Sequence, residues 1–133
     1  MILTFPFLLF SVVAYNVIVF TTGTPFETVL FQIPMISGAL WNFTLGDLLI
    51  AATLFLLFVE ILKATRTGGN SLVDHALSTV VFIACLIEFL VVPEAATSLF
   101  FFITLITLID VVAGFSVTIR AARRDFAVGP QSY

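Results

Sequence analysis

Ser98–Arg124, SLFFFITLITLIDVVAGFSVTIRAARR, is the stretch on which the reading of the chain turns. Its apolar part rises about 1.5 Å per residue as a helix, enough to cross a hydrocarbon core of about 30 Å. One carboxylate, Asp110, interrupts it near the middle, and Arg120, Arg123 and Arg124 close it. Every other segment reads as something that packs around this helix.

Composition sets the solvent. Of 133 residues, 61% are hydrophobic and only 10% charged, and the mean hydropathy is +1.23. A soluble domain has roughly a quarter of its residues charged, so lipid is the expected surroundings. One cysteine excludes an internal disulfide and a cysteine-built metal site, and one histidine leaves little imidazole chemistry. The apolar start, MILTFPFLLFSVVAYNVIVF, has no basic n-region and no small-x-small cleavage pattern, so it reads as a retained helix.

The spans expected are 2–20, 45–64, 72–92 and 98–119. Pro6 falls in the first turns of the first, where it does little harm. Thr4, Ser11 and Tyr15 share one face of that helix, with Asn16 to one side. Thr44 with Asp47, and Ser71 with Asp74, look like helix starts with an acid in the first turn. RTGGNS and Pro93 end the second and third spans, and the short link PEAAT makes the third and fourth antiparallel neighbours.

Residues 21–44 change period. Val29, Phe31, Ile33 and Met35 alternate with Leu30, Gln32, Pro34 and Ile36; beyond Ser37-Gly38, Ala39, Trp41 and Phe43 alternate with Leu40, Asn42 and Thr44. Period two with a Ser-Gly turn predicts a short hairpin, with an interfacial helix as the rival. The fold class expected is therefore an all-α integral membrane protein, a four-helix transmembrane bundle in a single domain. An extended cap joins its first two helices, and 120–133 forms a tail. Phe31, Ile33, Met35, Trp41 and Phe43 are the residues by which such a cap would touch neighbours, Trp41 in an interface position.

The basic residues orient the bundle. Lys63 and Arg66 follow the second span, and Arg120, Arg123 and Arg124 the fourth, so all five fall on one side. The positive-inside rule makes that side cytoplasmic, with both termini, and the cap external. A bacterial inner membrane is the expected location.

Each of the last three spans has one polar, small-residue stripe: Gly46, Thr53, Glu60 and Ala64; Asp74, Ser78, Cys85 and Glu88; Thr104, Thr107, Asp110, Gly114 and Thr118. Such stripes suit close helix packing and interhelical hydrogen bonds, while the opposite Phe, Leu, Ile and Val faces meet lipid or neighbours. An intramembrane acid is also a candidate functional site. Asp110, Glu88 and Glu60, with Tyr15 and Thr107, are therefore candidate polar or proton-handling residues. Helical rise within each span puts Glu60 roughly 8 Å to one side of Asp110 and Glu88 roughly 9 Å to the other, so no single ion cage is expected. With no basic residue at its depth, Asp110 is expected to stay neutral, donating to a threonine, to Tyr15 or to a carbonyl. Glu60 is expected to pair with Lys63, whose ammonium can snorkel outward.

The remaining features read structurally. Asp74-His75 reads as a capped helix start with an exposed imidazole, Cys85 as packing, Asn42-Phe43-Thr44 as a chance sequon, and the arginines as topology signals rather than a dedicated headgroup site. There is no phosphate loop, dinucleotide fingerprint, metal-ligand spacing or nucleophile–base pair. The function expected is non-enzymatic: an accessory or structural subunit of a homo-oligomeric or larger plasma-membrane complex. Its partners would be the bilayer, copies of itself or other membrane subunits, with no nucleic acid and no cofactor. The alternative is a small proton- or cation-conducting protein using the intramembrane carboxylates.

Overall fold

The computed structural model describes residues 5–65 and 71–128. Among them are four helical stretches and one two-stranded ribbon: α1 (Leu8–Val17, prolonged by a π-helical turn Ile18–Thr22), β1 (Val29–Pro34), β2 (Leu40–Thr44), α2 (Leu45–Ala64), α3 (Ser71–Val91) and α4 (Ser98–Val128). Three stretches, Leu45–Ala64, Leu72–Val91 and Ser98–Val117, are long and apolar enough to cross a membrane.

The helix α4 is the axis of the fold. It packs along both α2 and α3, and α1 lies across all three. Phe100 and Ile103 on α4 are fully buried, as are Tyr15 of α1 and Cys85 of α3. The polar stripes face inward: Thr53, Glu60, Asp74, Ser78, Thr104, Thr107 and Asp110 are all buried. The outer faces, Phe55, Phe58, Leu90, Val91, Phe102 and Val112 among them, are exposed. This is the inverse of a soluble bundle, as expected where the surroundings are apolar.

Two helical boundaries differ from the sequence expectation. The first helix starts at Leu8 rather than at residue 2, of which residues 1–4 lie outside the described part. Proline disfavours helical geometry in the residue before it, and Phe5 to Phe7 form a bend and turn in which the Pro6 carbonyl accepts the Leu9 N–H at 3.0 Å. Gly23, at φ 65°, ends this helix by donating to the Ile18 carbonyl at 2.8 Å. The 15 residues Leu8–Thr22 make a rod of about 22 Å, shorter than a hydrocarbon core. At the other end of the chain, the expected tail from residue 120 is helical as far as Val128. Nothing in RAARRDFAV breaks a helix, since alanine and arginine are strong formers.

The period-two stretch does form the hairpin. β1 and β2 pair antiparallel, with Phe31 opposite Phe43 and Ile33 opposite Trp41, and a bulge between Val29 and Phe31. Met35 donates to the Ala39 carbonyl and Gly38 to the Met35 carbonyl, which makes a three-residue loop with Gly38 at φ 93°. The ribbon then feeds directly into α2. Thr44 and Asp47 form a reciprocal capping box, each side chain accepting the other's N–H at 3.1 Å. The next two N–H groups, of Leu45 and Gly46, donate to the Thr28 and Phe26 carbonyls at 2.9 Å. A Thr44→Ala variant loses the cap and is expected to cost about 1 kcal/mol, read as a lower unfolding midpoint with unchanged helix content by circular dichroism.

Candidate functional site

The polar residues of the core divide into two groups, one at each end of the bundle. At the ribbon end the contacts among the described residues are hydrogen bonds without an ion pair. The Tyr15 hydroxyl donates to the Glu94 carbonyl at 2.9 Å and lies 2.9 Å from the Thr97 hydroxyl. Thr97 in turn accepts the Phe100 N–H and so caps α4. The Tyr15 ring is stacked on Phe26 at 5.0 Å and tilted against Phe100 at 4.8 Å. Tyr15 is therefore engaged here and is not the partner that the sequence reading offered to Asp110. Glu88 is half-buried and accepts a hydrogen bond from Asn16 at 3.2 Å, which keeps it apart from the other two acids.

At the opposite end, where α2 finishes and α3 begins, the contacts are charged. Glu60, Lys63, Asp74, His75, Ser78 and Asp110 are each less than 9% exposed. The Lys63 ammonium stands 2.8 Å from Glu60 Oε1 and 3.5 Å from Asp74 Oδ1. It also donates to the Phe5 carbonyl and sits 4.3 Å from the centre of the Phe7 ring. Glu60 Oε1 accepts the Phe7 N–H at 3.1 Å as well, and the Ser78 hydroxyl reaches Glu60 Oε2 at 3.5 Å. Asp110 of α4 is buried as well.

Glu60 and Lys63 thus pair as their spacing predicts, but the ammonium is drawn into the bundle instead of snorkelling out. The separation of Glu60 from Asp110 in height is smaller than the expected value of roughly 8 Å, in the same direction. That expectation placed each acid at its height within its own span. Gly46 of α2 and Leu99 of α4 are in fact level, since a Cβ on Gly46 would lie 3.7 Å from Leu99 Cδ2. Glu60 is fourteen residues beyond Gly46 and Asp110 eleven beyond Leu99. The offset of three residues is about 4.5 Å along parallel helices, within reach of a glutamate.

His75 is where the sequence reading is corrected. Its imidazole is not exposed at the start of α3: His75 is 4% exposed, with its ring 5.1 Å from that of Phe115. It lies in a notch made by Gly114, where an added Cβ would stand 2.8 Å from His75 Cε1. The available signal was the register of Asp74 with Ser78 and Cys85 on one stripe, which already turned it inward.

The other candidate residues play simpler parts. Thr107 donates to the Thr104 carbonyl at 2.6 Å and is buried. Arg120 and Arg123 are exposed on the last turns of α4. Arg66 and the Arg124 side chain lie outside the described residues. In the ribbon Phe31 stacks on Phe43 at 4.7 Å, with Trp41 edge-on to Phe43 at 5.5 Å. Phe31, Ile33, Met35 and Trp41 are nonetheless all more than a third exposed. An open groove of about 600 Å³ lies between Trp41 and Phe43 of the ribbon and Ile50, Leu54, Leu99 and Phe102 of α2 and α4. Among the described residues no group of three or more His, Cys, Asp or Glu could hold a metal ion.

No protein family, no curated protein and no solved structure matches this chain.

Two substitutions probe this end of the bundle. Lys63→Met would leave Glu60 and Asp74 buried without their cation, which is expected to cost about 3–5 kcal/mol. Gly114→Ala would push the His75 ring aside for about 1–3 kcal/mol. Reversible unfolding in mixed micelles measures both, with Arg123→Met as a surface control that changes neither midpoint nor helix content.

Proposed function

We propose that the chain is a four-span integral membrane protein that works without catalysis, as a subunit of a larger assembly in a plasma membrane. The bacterial inner membrane is the proposed site, with both termini cytoplasmic and the ribbon outside. Arg120 and Arg123, exposed at the far end of α4 from the ribbon, support this orientation. The first helix is read as the fourth crossing. Its shortness would be met by local thinning of the bilayer.

The observation behind the subunit reading is the ribbon. An isolated two-stranded hairpin is marginal in water, and this one shows apolar side chains on both faces. Leu30, Phe31, Ile33, Met35, Ile36, Leu40 and Trp41 are all exposed. Contiguous exposed apolar surface marks an interaction site, and the adjoining groove continues it down the α2 and α4 faces. A neighbouring copy or another membrane subunit would cover both.

The test is particle mass. Extracted from its native membrane in a polymer disc, the chain is expected in a particle well above its own 14.5 kDa. Ile36→Asp with Leu40→Asp is expected to reduce the particle to single chains. Both side chains are exposed, at 109% and 62%, so the chain's own packing loses little. A wild-type particle holding one copy and no other protein would overturn the subunit reading.

A second reading, a small proton- or cation-conducting protein, is favoured by one observation: the buried carboxyls of Glu60 and Asp74 share a single ammonium, and a third carboxyl, Asp110, is buried in the same core. It predicts gradient-driven flux in liposomes that Asp110→Asn abolishes while the helices remain intact. Unchanged flux in that variant would remove Asp110 from any such path.

A further inference from the structure

The surface of the ribbon end carries acids and no base. Asp47, in the first turn of α2, is exposed and lines the groove between the ribbon, α2 and α4. Glu27 is exposed next to the start of the same helix: the carbonyls on either side of it, of Phe26 and Thr28, accept the Gly46 and Leu45 N–H groups at 2.9 Å. Glu94 is exposed at this end too, its carbonyl holding the hydroxyl of Tyr15, whose ring is stacked on Phe26. Among the described residues no cation is within ion-pair distance of these three. The chain's five basic residues, Lys63, Arg66, Arg120, Arg123 and Arg124, all belong in sequence to the far ends of α2 and α4.

The groove joins this charge to apolar surface. Along α2 its lining runs from Gly46 and Asp47 to Leu54, about 12 Å or two turns of an opposing helix. Trp41, Phe43, Leu99 and Phe102 line the rest. An occupant should therefore be apolar along most of its length and cationic at the ribbon end. Asp47 can receive that cation without losing its cap. Its Oδ2 accepts the Thr44 N–H, and a carboxylate has about four acceptor sites. A second copy of this chain does not fit. Copies inserted the same way bring acidic end to acidic end. Their nearest lysine on α2 is then about 24 Å away along the helix, about three screening lengths at physiological salt. A phospholipid would set its phosphate against the same acids.

We infer that the groove is the docking site for a transmembrane helix of a different membrane protein, one with lysine or arginine at the end that meets the ribbon. Such a partner rests on the subunit reading and narrows it from any neighbour to a basic, unlike chain. The partner's cation meets Asp47, with Glu27 and Glu94 adding to the attraction, and its apolar turns cover Leu54 and Phe102. Charge complementarity of this kind sets register and rejects wrong partners more than it adds affinity. A native particle with several copies of this chain and no other protein would leave the subunit reading standing and overturn this one.

The chain's one tryptophan, Trp41, lines the groove, so its fluorescence reports the occupant. The test places the full chain in phosphatidylcholine vesicles with synthetic leucine–alanine transmembrane helices. One peptide ends in lysines and the other in glutamates, each with a dansyl acceptor at that charged end and glutamines at the other. The lysine-ended helix is expected to quench Trp41 at an about tenfold lower mole fraction than the glutamate-ended one. That preference is expected to vanish when Glu27→Gln, Asp47→Asn and Glu94→Gln are combined, with helix content unchanged by circular dichroism. Equal quenching by the two helices, quenching by neither, or a preference that survives the triple variant would each overturn the inference. Should the triple variant not fold, added salt decides on the wild-type chain. A preference that falls with salt supports the inference, and one indifferent to salt overturns it.

Discussion

The Lys63 ammonium is the contact on which one end of this bundle depends. It is 5% exposed at its side chain and lies within 4 Å of acids from two helices. It also holds the chain ahead of α1 through the Phe5 carbonyl and the Phe7 ring. α2 and α3 pack mainly on α4 rather than on each other. The Lys63–Asp74 and Ser78–Glu60 contacts are therefore a direct tie between two helices that otherwise meet through a third. In apolar surroundings such a tie is far less screened than at a wet surface. It acts as a clamp whose removal leaves stranded charge.

The opposite end is closed by hydrogen bonds rather than by ion pairs. Tyr15 reaches across to the link between α3 and α4, and Thr97 joins that contact to the start of α4. Between the two ends the hydroxyls satisfy themselves on carbonyls of their own helices, Thr53 on Leu49 and Thr104 on Phe100. They let the helices approach closely without needing a partner, and Thr53 additionally meets Ser11 of α1 at 2.9 Å. The bundle is thus joined by hydrogen bonds beside the ribbon and by ion pairs where α2 ends and α3 begins. The exposed apolar ribbon and the buried ion pairs lie at opposite ends.

Most of this architecture was legible in the residues. Apolar length gave α2, α3 and α4; the shift to period two with Ser37-Gly38 gave the ribbon; and the helical wheel turned the correct stripes inward. The misses share one physical cause. Sequence places a residue along its own helix but not against a neighbour, so the level at which α2 and α4 meet, set by Gly46 against Leu99, was invisible. That level leaves Glu60 nearer in height to Asp110 than its position within its own span implied. His75 was misjudged for a related reason. A histidine near a helix start reads as exposed until the Gly114 notch on another helix is known to receive it. The late start of α1 was legible in part, since Pro6 was seen but its effect on Phe5 was underweighted.

The central claim is that buried charges joined through Lys63 hold this end of the bundle together. A set of neutralising variants tests it most directly, comparing Lys63→Met alone with Lys63→Met, Glu60→Gln and Asp74→Asn combined. If the ammonium compensates buried carboxylates, the triple variant recovers most of the stability lost by the single one, because no stranded charge remains. If the triple variant is no more stable than Lys63→Met alone, stranded charge is not what the single variant suffers from, and the account is wrong.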